Sequence, residues 1–293
     1  DGFVTHVRPI FEPDPNACVL EVQALDRSVL LDREEVLKDW PNKKDSDVVS
    51  EIFASHGLTA DVEATSTVYD EAISTIIQRE TDIRFIRRLA VRNGFECYVQ
   101  GAIGYFRPPA VDAAPQPVLA AHFGEETTLN RVELRLDALT PVSVGGAQID
   151  RMSKEIVVGE ATSGELAVLG ASDAQALLGA GVPPGAAMVS GAPAIAVEEL
   201  QSLTQELFHQ AHWLVTLEGE VNANAYGTVL RPHLPVTIKG IGETHSGVYY
   251  VTRTTHLVDV SGYRIELTAR RNAIDPTGSE QFGGDAGLLG GVV

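Results

Sequence analysis

The sequence predicts an α+β fold that is mainly antiparallel β-structure, with an α/β unit inserted before a β-barrel or sandwich. Residues 263–270 alternate strictly between apolar and polar side chains, which is the pattern of a strand with one buried and one wet face. Residues 48–53 and 83–90 instead carry apolar side chains at helical spacing. The 293 residues are 44% hydrophobic, so the chain can bury the cores that two such parts require.

The N-terminal segment predicts a hairpin and then a connector. Residues 3–10 and 17–25 are rich in strand-forming side chains, and the turn formers at 13–16 separate them. A polar connector that contains Trp40 follows and extends to residue 44.

Residues 45–110 predict a compact α/β unit. The acidic residues at 45–47 favour the start of a helix, and Gly57 lies where that helix would end. A second helix is predicted over 81–94, with Asn-Gly as its stop signal. Residues 95–106 then predict a hairpin.

The middle of the chain gives weaker signals. Residues 110–118 are rich in Ala and Pro and predict a linker, and residues 129–139 alternate in part, as a half-buried strand does. Residues 159–196 are rich in Gly, Ala, Ser and Pro. They are expected to form a flexible, exposed insertion with at most a short helix at 172–179.

The C-terminal part has the clearest pattern. Residues 197–211 predict an amphipathic helix, and strands are predicted at about 213–221 and 235–240. A long hairpin follows over 248–271, with its turn at 260–262. Antiparallel strands with one helix against them indicate a small barrel or sandwich.

The acidic balance of the chain limits its partners. A net charge of −18 argues against a nucleic-acid-binding surface, which needs clustered Lys and Arg, and against adhesion to anionic lipid. It keeps the protein soluble and suits the wall of a passage that must not bind acidic cargo. No apolar run approaches the roughly 20 residues of a membrane helix, so stable membrane insertion is not expected.

The sequence contains no motif that indicates catalysis. Cys18 and Cys97 are too few for a disulfide framework or a zinc set, and are interpreted as buried small side chains. His209 and His212 share a helix face but lack the Glu of a metalloprotease motif. A nucleophile elbow, a dinucleotide fingerprint and a phosphate loop are all missing. We therefore expect no catalytic residue, no metal and no cofactor.

Two segments of the chain carry patterns that occur together in one protein family. The first consists of Asp45 to Leu58, Gln78, Thr81 to Phe85, Leu89-Ala90 and Gly94-Phe95. The second consists of Gly247 to Arg253, His256, Gly262-Tyr263 and Arg270 to Asn272. In this order they resemble the phage late control gene D family, which includes the hub of contractile tails and the hub portion of valine-glycine-repeat (VgrG) spikes.

The resemblance implies tube-like β-barrels joined by α/β elements, a threefold ring, and no catalytic residues. Residues 1–44 would be the last strands of a first barrel plus a connector, and 111–158 with 197–275 would form the second barrel. The ring would adapt a sixfold inner tube to a threefold spike. The implied partners are further copies in a homotrimer, the inner tube protein, a spike or needle-tip protein and baseplate proteins. Such a protein is assembled in the cytoplasm and carried in a phage virion or a contractile injection particle, including extracellular ones.

The long hairpin supplies the candidate subunit contacts, because a ribbon of this length should not be left with bare edges. The candidates are Tyr249, Tyr250, Arg253, Tyr263, Arg270 and Arg271.

The two ends predict a fragment of a longer chain. The first residue is not Met, and residues 276–293 read as a Gly-rich linker that turns apolar at its end. We expect this linker to lead toward a spike.

Two other functions remain open from the sequence. A cell-wall hydrolase would need paired carboxylates in a pocket. A carbohydrate-binding module would need exposed aromatic side chains on a sheet face, and only 6% of the residues are aromatic.

Overall fold

The computed structural model describes residues 2–72, 75–137, 141, 143–149, 154–164, 166–173, 176–177, 185–189 and 197–282. The chain divides into two compact units, one mainly of Asp1–Pro108 and the other mainly of Pro109–Ala147, Gly159–Gly191 and Leu207–Val293. Most strand pairs are antiparallel and helices are few, which confirms the predicted mainly antiparallel, β-rich fold.

The described residues up to Arg107, which form most of the first unit, contain two α-helices and nine strands. They are β1 (Phe3–Ile10), β2 (Val19–Leu25), β3 (Glu35–Trp40), β4 (Lys43–Lys44), α1 (Asp45–Ser55), β5 (Thr59–Val62), β6 (Val68–Tyr69), β7 (Ile76–Thr81), α2 (Asp82–Asn93), β8 (Glu96–Gln100) and β9 (Ile103–Arg107).

The N-terminal hairpin is confirmed, since β1 pairs antiparallel with β2. The segment after it contains more structure than a connector, because β3 pairs with β7 over its whole length. Trp40 and Ile76 face each other across this pair and are buried, whereas Leu37 on the opposite face is 82% exposed. Charged residues interrupt the alternation of β3, so its strand pattern is weak in the sequence.

Both predicted helices are confirmed, and their apolar stripes form the core of the first unit. The α2 helix ends at Gly94, whose φ of 69° lies in the left-handed region that glycine adopts readily. Gly104 on β9 lies against the ring of Phe53, and an added Cβ there would come within 2.7 Å of that ring. The predicted hairpin is also present, as β8 and β9.

The remaining elements follow in chain order and build mainly the second unit. They are β10 (Gln116–Ala120), β11 (Leu129–Leu136), β12 (Ser143–Ile149), β13 (Ile156–Ala161), β14 (Ser172–Asp173), β15 (Ala186–Val189), α3 (Val197–Ala211), β16 (Val215–Asn222), α4 (Ala223–Tyr226), β17 (Leu234–Lys239), β18 (Gly247–Asp259), β19 (Gly262–Arg271) and β20 (Ala273–Ile274).

A six-stranded sheet in the order β10-β17-β18-β19-β16-β11 dominates the second unit and curves as a half-barrel. Its two outer strands approach at one end, where the backbone N–H of Thr128 donates to the carbonyl of Ala120 at 2.9 Å. The predicted linker at 110–118 is therefore partly wrong, because its last residues begin β10. That strand pairs in parallel with β17, more than 100 residues away, and no local pattern reveals such a partner.

The stretch 159–196 is more ordered than the sequence predicts, in its described parts. β12 lies between β13 and β15 in a three-stranded sheet, and Ala161 and Leu169 are buried. Ser172–Asp173 is a strand that pairs with β20, and Ala176 and Leu177 are helical. The rest of the helix expected at 172–179 lies outside the described residues.

The two cysteines differ from the prediction that both are buried. Cys18 is exposed in the loop before β2, and Cys97 on β8 is partly buried. Burial raises the pKa of the Cys97 thiol to about 12, so this thiol stays protonated at neutral pH. Among the described residues, no helix has the length and apolar content needed to cross a membrane.

Candidate functional site

The six-stranded sheet has one apolar and one charged face. Alternate side chains of β16 and β19 enter the core of the half-barrel, as strict alternation predicts. The apolar ones exposed by at most 3% are Val215, Leu217, Val221, Ile265, Leu267 and Ala269. The side chains between them point the other way and form what we call the polar face.

The polar face carries charges of both signs on four neighbouring strands. Its charged members are Arg131, Glu133, Arg135, Glu218, Glu220, Arg253, Asp259, Arg264, Glu266 and Arg270. Two shallow depressions of about 270 Å³ and about 450 Å³ lie among them. Because the signs are mixed, this surface does not match the one-sign charge of a nucleic-acid site.

Carboxylates of equal charge face each other across the polar face. Glu133 lies opposite Glu218, and Glu220 lies opposite Glu266. Like charges directly opposite in a sheet are destabilising. Arg131 relieves part of this repulsion by donating to Glu133 at 2.7 Å.

The β18–β19 ribbon extends beyond its neighbours. β17 pairs only with residues 247–251 of β18, so the edge of β18 beyond the bulge at Thr252 has no partner strand among the described residues. Val258 and Val260 at the tip are largely or fully exposed. Ser261 donates its backbone N–H to Asp259, and this bond lowers the pKa of the Asp259 carboxyl. The ribbon thus offers an open edge with an apolar tip.

Arg271, at the end of β19, is fully buried and has no carboxylate partner among the described residues. Its Nε donates to the carbonyl of Leu169 at 2.8 Å and its Nη2 to the carbonyl of Asp275 at 2.9 Å. Its Nη1 lies 3.4 Å from the carbonyl of His245 and 3.3 Å from that of Ser246. The guanidinium therefore ties three backbone segments together through carbonyl oxygens.

The neighbours of Arg271 in the sequence motif serve the same arrangement. Asn272 accepts from the N–H of Leu169 and donates to the carbonyl of Ala167, both at 2.9 Å. A Cβ on Gly247 would lie 2.5 Å from the Arg271 guanidinium, so glycine leaves the space that this group fills. Tyr249 packs against the guanidinium and donates to the carbonyl of His245 at 2.7 Å. Burial raises the pKa of Tyr249, an effect that nearby Arg271 partly opposes.

Three of the six predicted subunit contacts are buried within one chain. Tyr249, Tyr250 and Arg271 are at most 1% exposed within one chain, so they offer no surface to a neighbour. The other three candidates lie at the surface and remain proposals; they are Arg253, Tyr263 and Arg270. The sequence shows which strand carries these residues, but it does not show which segments cover them.

The first motif also forms an internal network. Gln78 is fully buried, accepts from the indole N–H of Trp40 at 3.2 Å, and donates to Asp82 at 2.6 Å. Asp82 also bonds His56 at 2.7 Å, while Thr81 donates to Asp32 at 2.7 Å. The residues of this motif therefore connect the strands and helices of the first unit.

The two histidines of α3 do not form a metal site with other residues that the structure describes. His212 is buried, stacks on Phe208 with ring centroids 3.8 Å apart, and lies 2.6 Å from the Phe208 carbonyl through Nδ1. With His209 it lines a cavity of about 170 Å³. Across the described ranges, no group of three or more His, Cys, Asp or Glu residues is arranged to hold a metal ion.

Solved structures with this fold include two tail proteins. The tail protein from Neisseria meningitidis MC58 is 13% identical with a TM-score of 0.65, and the match covers 92% of this chain and 79% of that one. The 43 kDa tail protein of prophage MuSo2 from Shewanella oneidensis is 10% identical with a TM-score of 0.66, covering 93% of this chain and 78% of that one.

A secretion protein shares the fold over a smaller share of its length. The E. coli c3393 protein, a component of the type VI secretion system, is 13% identical with a TM-score of 0.55. The match covers 92% of this chain and 60% of that one. At such identities the likeness is one of fold.

A comparison with protein-family models shows to which family the chain belongs. No curated protein matches the sequence. The expected resemblance to tail and type VI proteins is confirmed at the level of the fold, while the narrower late control gene D assignment stays a proposal. The model of the Alg8 N-terminal domain matches residues 4–259, and the chain therefore belongs to the Alg8 N-terminal domain family.

Proposed function

We propose that this chain is a structural baseplate-hub protein of a contractile injection particle, which adapts a sixfold inner tube to a threefold spike. The observation that supports it most is the fold: more than nine tenths of the chain superposes on two tail proteins, one of them from a prophage. The sequence motifs agree with this proposal, because the residues that carry them build internal networks that position strands and contribute no reactive group.

The half-barrel sheet suits the wall of a tube. One face is a continuous apolar core, and the polar face carries both signs of charge in a chain with a net charge of −18. In this proposal the sheets of three copies surround a passage and form tube-like barrels. A solvent-exposed wall that carries both signs of charge would offer acidic cargo no continuous basic surface to bind.

The proposed partners follow from that geometry. Three copies form the ring, the inner tube protein and the spike or needle-tip protein contact its two ends, and baseplate proteins surround it. Arg253, Tyr263 and Arg270 are proposed contact residues because they lie on the long ribbon and its exposed faces. Residues 276–293 are proposed to lead toward the spike.

An enzymatic role finds no specific support at the surface grooves. A groove of about 1270 Å³ includes the carboxylates Asp112, Glu126 and Glu280 in its lining. A general acid would need a raised pKa. For Glu280, burial acts to raise the pKa, but hydrogen bonds, chiefly from the backbone of Thr277, leave it below its ordinary value. Glu126 is ion-paired with Lys239 at 2.9 Å.

The proposal predicts a fixed number of copies in the particle. Contractile particles purified from the source cells should contain three copies of this chain, measured by mass spectrometry against isotope-labelled peptides of the chain. Tube and sheath proteins in the same digest, present in multiples of six, are the control for counting. Particles that lack the chain, or that contain as many copies as the tube protein, would show that it is not the hub.

A further inference from the structure

The N-terminal ribbon, Phe3–Leu25, has one face that is entirely apolar. In its register Val4 lies opposite Ala24, Val7 opposite Val22, and Pro9 opposite Leu20, and directly opposite residues share a face. The other face mixes polar and apolar groups and includes the ion pair of Arg8 and Glu21 at 3.4 Å.

The apolar face is uncovered by the described part of the chain. Val4 is 62% exposed, Val7 58%, Leu20 61% and Val22 54%. These side chains and their neighbours expose apolar surface on the order of 400 Å², which is the size of the largest apolar patch on a typical monomer, and such a patch is often functional. A two-stranded ribbon is also marginal in water until a third strand or a packed face supports it.

The two edges of the ribbon differ in their ability to accept another strand. β1 contains Pro9, which lacks a backbone donor, and a bulge between Val4 and His6. Both features make the β1 edge unfavourable for pairing with another strand. β2 (Val19–Leu25) contains neither, so β2 is the open edge of the ribbon.

The chain contains an edge of matching character, β11 (Leu129–Leu136). It is the last strand of the six-stranded sheet, and one of its two edges has no partner strand among the described residues. The apolar face of β11 is incompletely covered, since Val132 and Leu134 are only half-buried and Leu136 is 49% exposed. The opposite face of β11 is part of the polar face.

We propose that β2 of one copy pairs with β11 of a neighbouring copy, and so extends the half-barrel sheet of that copy by the two strands of the ribbon. The strands have similar lengths, seven and eight residues. Pairing puts the apolar face of the ribbon beside Val132, Leu134 and Leu136, and its Arg8–Glu21 face beside the polar face. The extended sheet then has one continuous apolar face and one continuous solvent-exposed face.

This contact joins two different surfaces, so repeating it generates a ring when the rotation between copies closes. The inference rests on the proposed function for the number of copies, which is three. It goes beyond that function by naming the strand that each copy donates and the strand that receives it.

Two matched variants of the full chain test the contact. Val22→Glu puts a charge on the apolar face of β2, whereas Gln23→Glu puts the same charge on the opposite face one residue later. Light scattering in the micromolar range should find Val22→Glu monomeric and Gln23→Glu assembled like the original protein. Circular dichroism of the monomer shows whether Val22→Glu is folded. Equal assembly of the two variants would overturn the proposal.

A crosslink locates the receiving strand and does not depend on the fold of any charged variant. A photoreactive phenylalanine at Leu20 is introduced into chains that are mixed with ¹⁵N-labelled chains. The linked peptides should join the two isotopes and contain residues 129–136. Links within one copy, or between copies but to another segment, would overturn the proposal.

The outcomes separate this inference from the proposed function. If Val22→Glu still forms trimers, or if the crosslink joins another segment, the ribbon contact is wrong and the hub assignment stands. If the unmodified chain is monomeric at every concentration, both fail.

Discussion

Replacing Arg271 with leucine is expected to lower the free energy of unfolding of the second unit by about 3–5 kcal/mol. The guanidinium is fully buried and donates to the carbonyls of Leu169, Ser246 and Asp275, among others. Leucine fills part of the volume but leaves these carbonyls without their donor, and an unsatisfied buried acceptor costs about 1–3 kcal/mol.

The two tryptophans make the measurement specific, because Trp40 belongs to the first unit and Trp213 to the second. Urea unfolding followed by ¹⁹F NMR of fluorotryptophan should show the loss at the Trp213 signal. Arg270→Leu removes an equal charge from the exposed neighbour and should change stability by less than about 0.5 kcal/mol. If Arg271→Leu and Arg270→Leu unfold at the same urea concentration, the buried guanidinium does not organise the fold.

The second large effect is expected for Asp45→Ala, at about 3 kcal/mol in the first unit. Asp45 is 2% exposed at the start of α1. It accepts from Arg92 Nε at 3.0 Å and from Asn93 Nδ2 at 2.6 Å, and a second guanidinium nitrogen completes a bidentate pair. Alanine leaves the Arg92 charge, whose side chain is only 16% exposed, without its partner.

Asp47→Ala is the matched control, since it removes the same charge from the same helix turn. Asp47 is exposed and accepts one backbone hydrogen bond from Lys44 at 3.2 Å, so its loss should cost about 1 kcal/mol. The Trp40 signal should report the difference between the two variants. An Asp45→Ala protein no less stable than Asp47→Ala would show that the buried ion pair contributes nothing.

The elements that the sequence predicts correctly are those with local signals. The α2 helix has a periodic apolar stripe and a glycine at its end, and the β18–β19 hairpin alternates around a Ser-Gly turn. Such signals come from backbone preferences and from side chains that are close in sequence, so one sequence suffices to find them.

The errors concern partners that are distant in sequence. β10 pairs with β17, and the strand β3 is recognisable only beside β7. The burial of Arg271 depends on the segment around Leu169, about 100 residues earlier in the chain. A cation in an alternating strand resembles a surface residue until the covering segment is known, which explains its placement among the subunit contacts.

The mass of the purified full chain in solution tests the central claim most directly. Each chain has a mass of 31.3 kDa, and a hub that adapts a sixfold tube to a threefold spike must assemble as three copies. Light scattering after size exclusion, in the micromolar range and at physiological salt, should give a particle of three times the chain mass. A mass that stays at one chain across the concentration range would contradict the account.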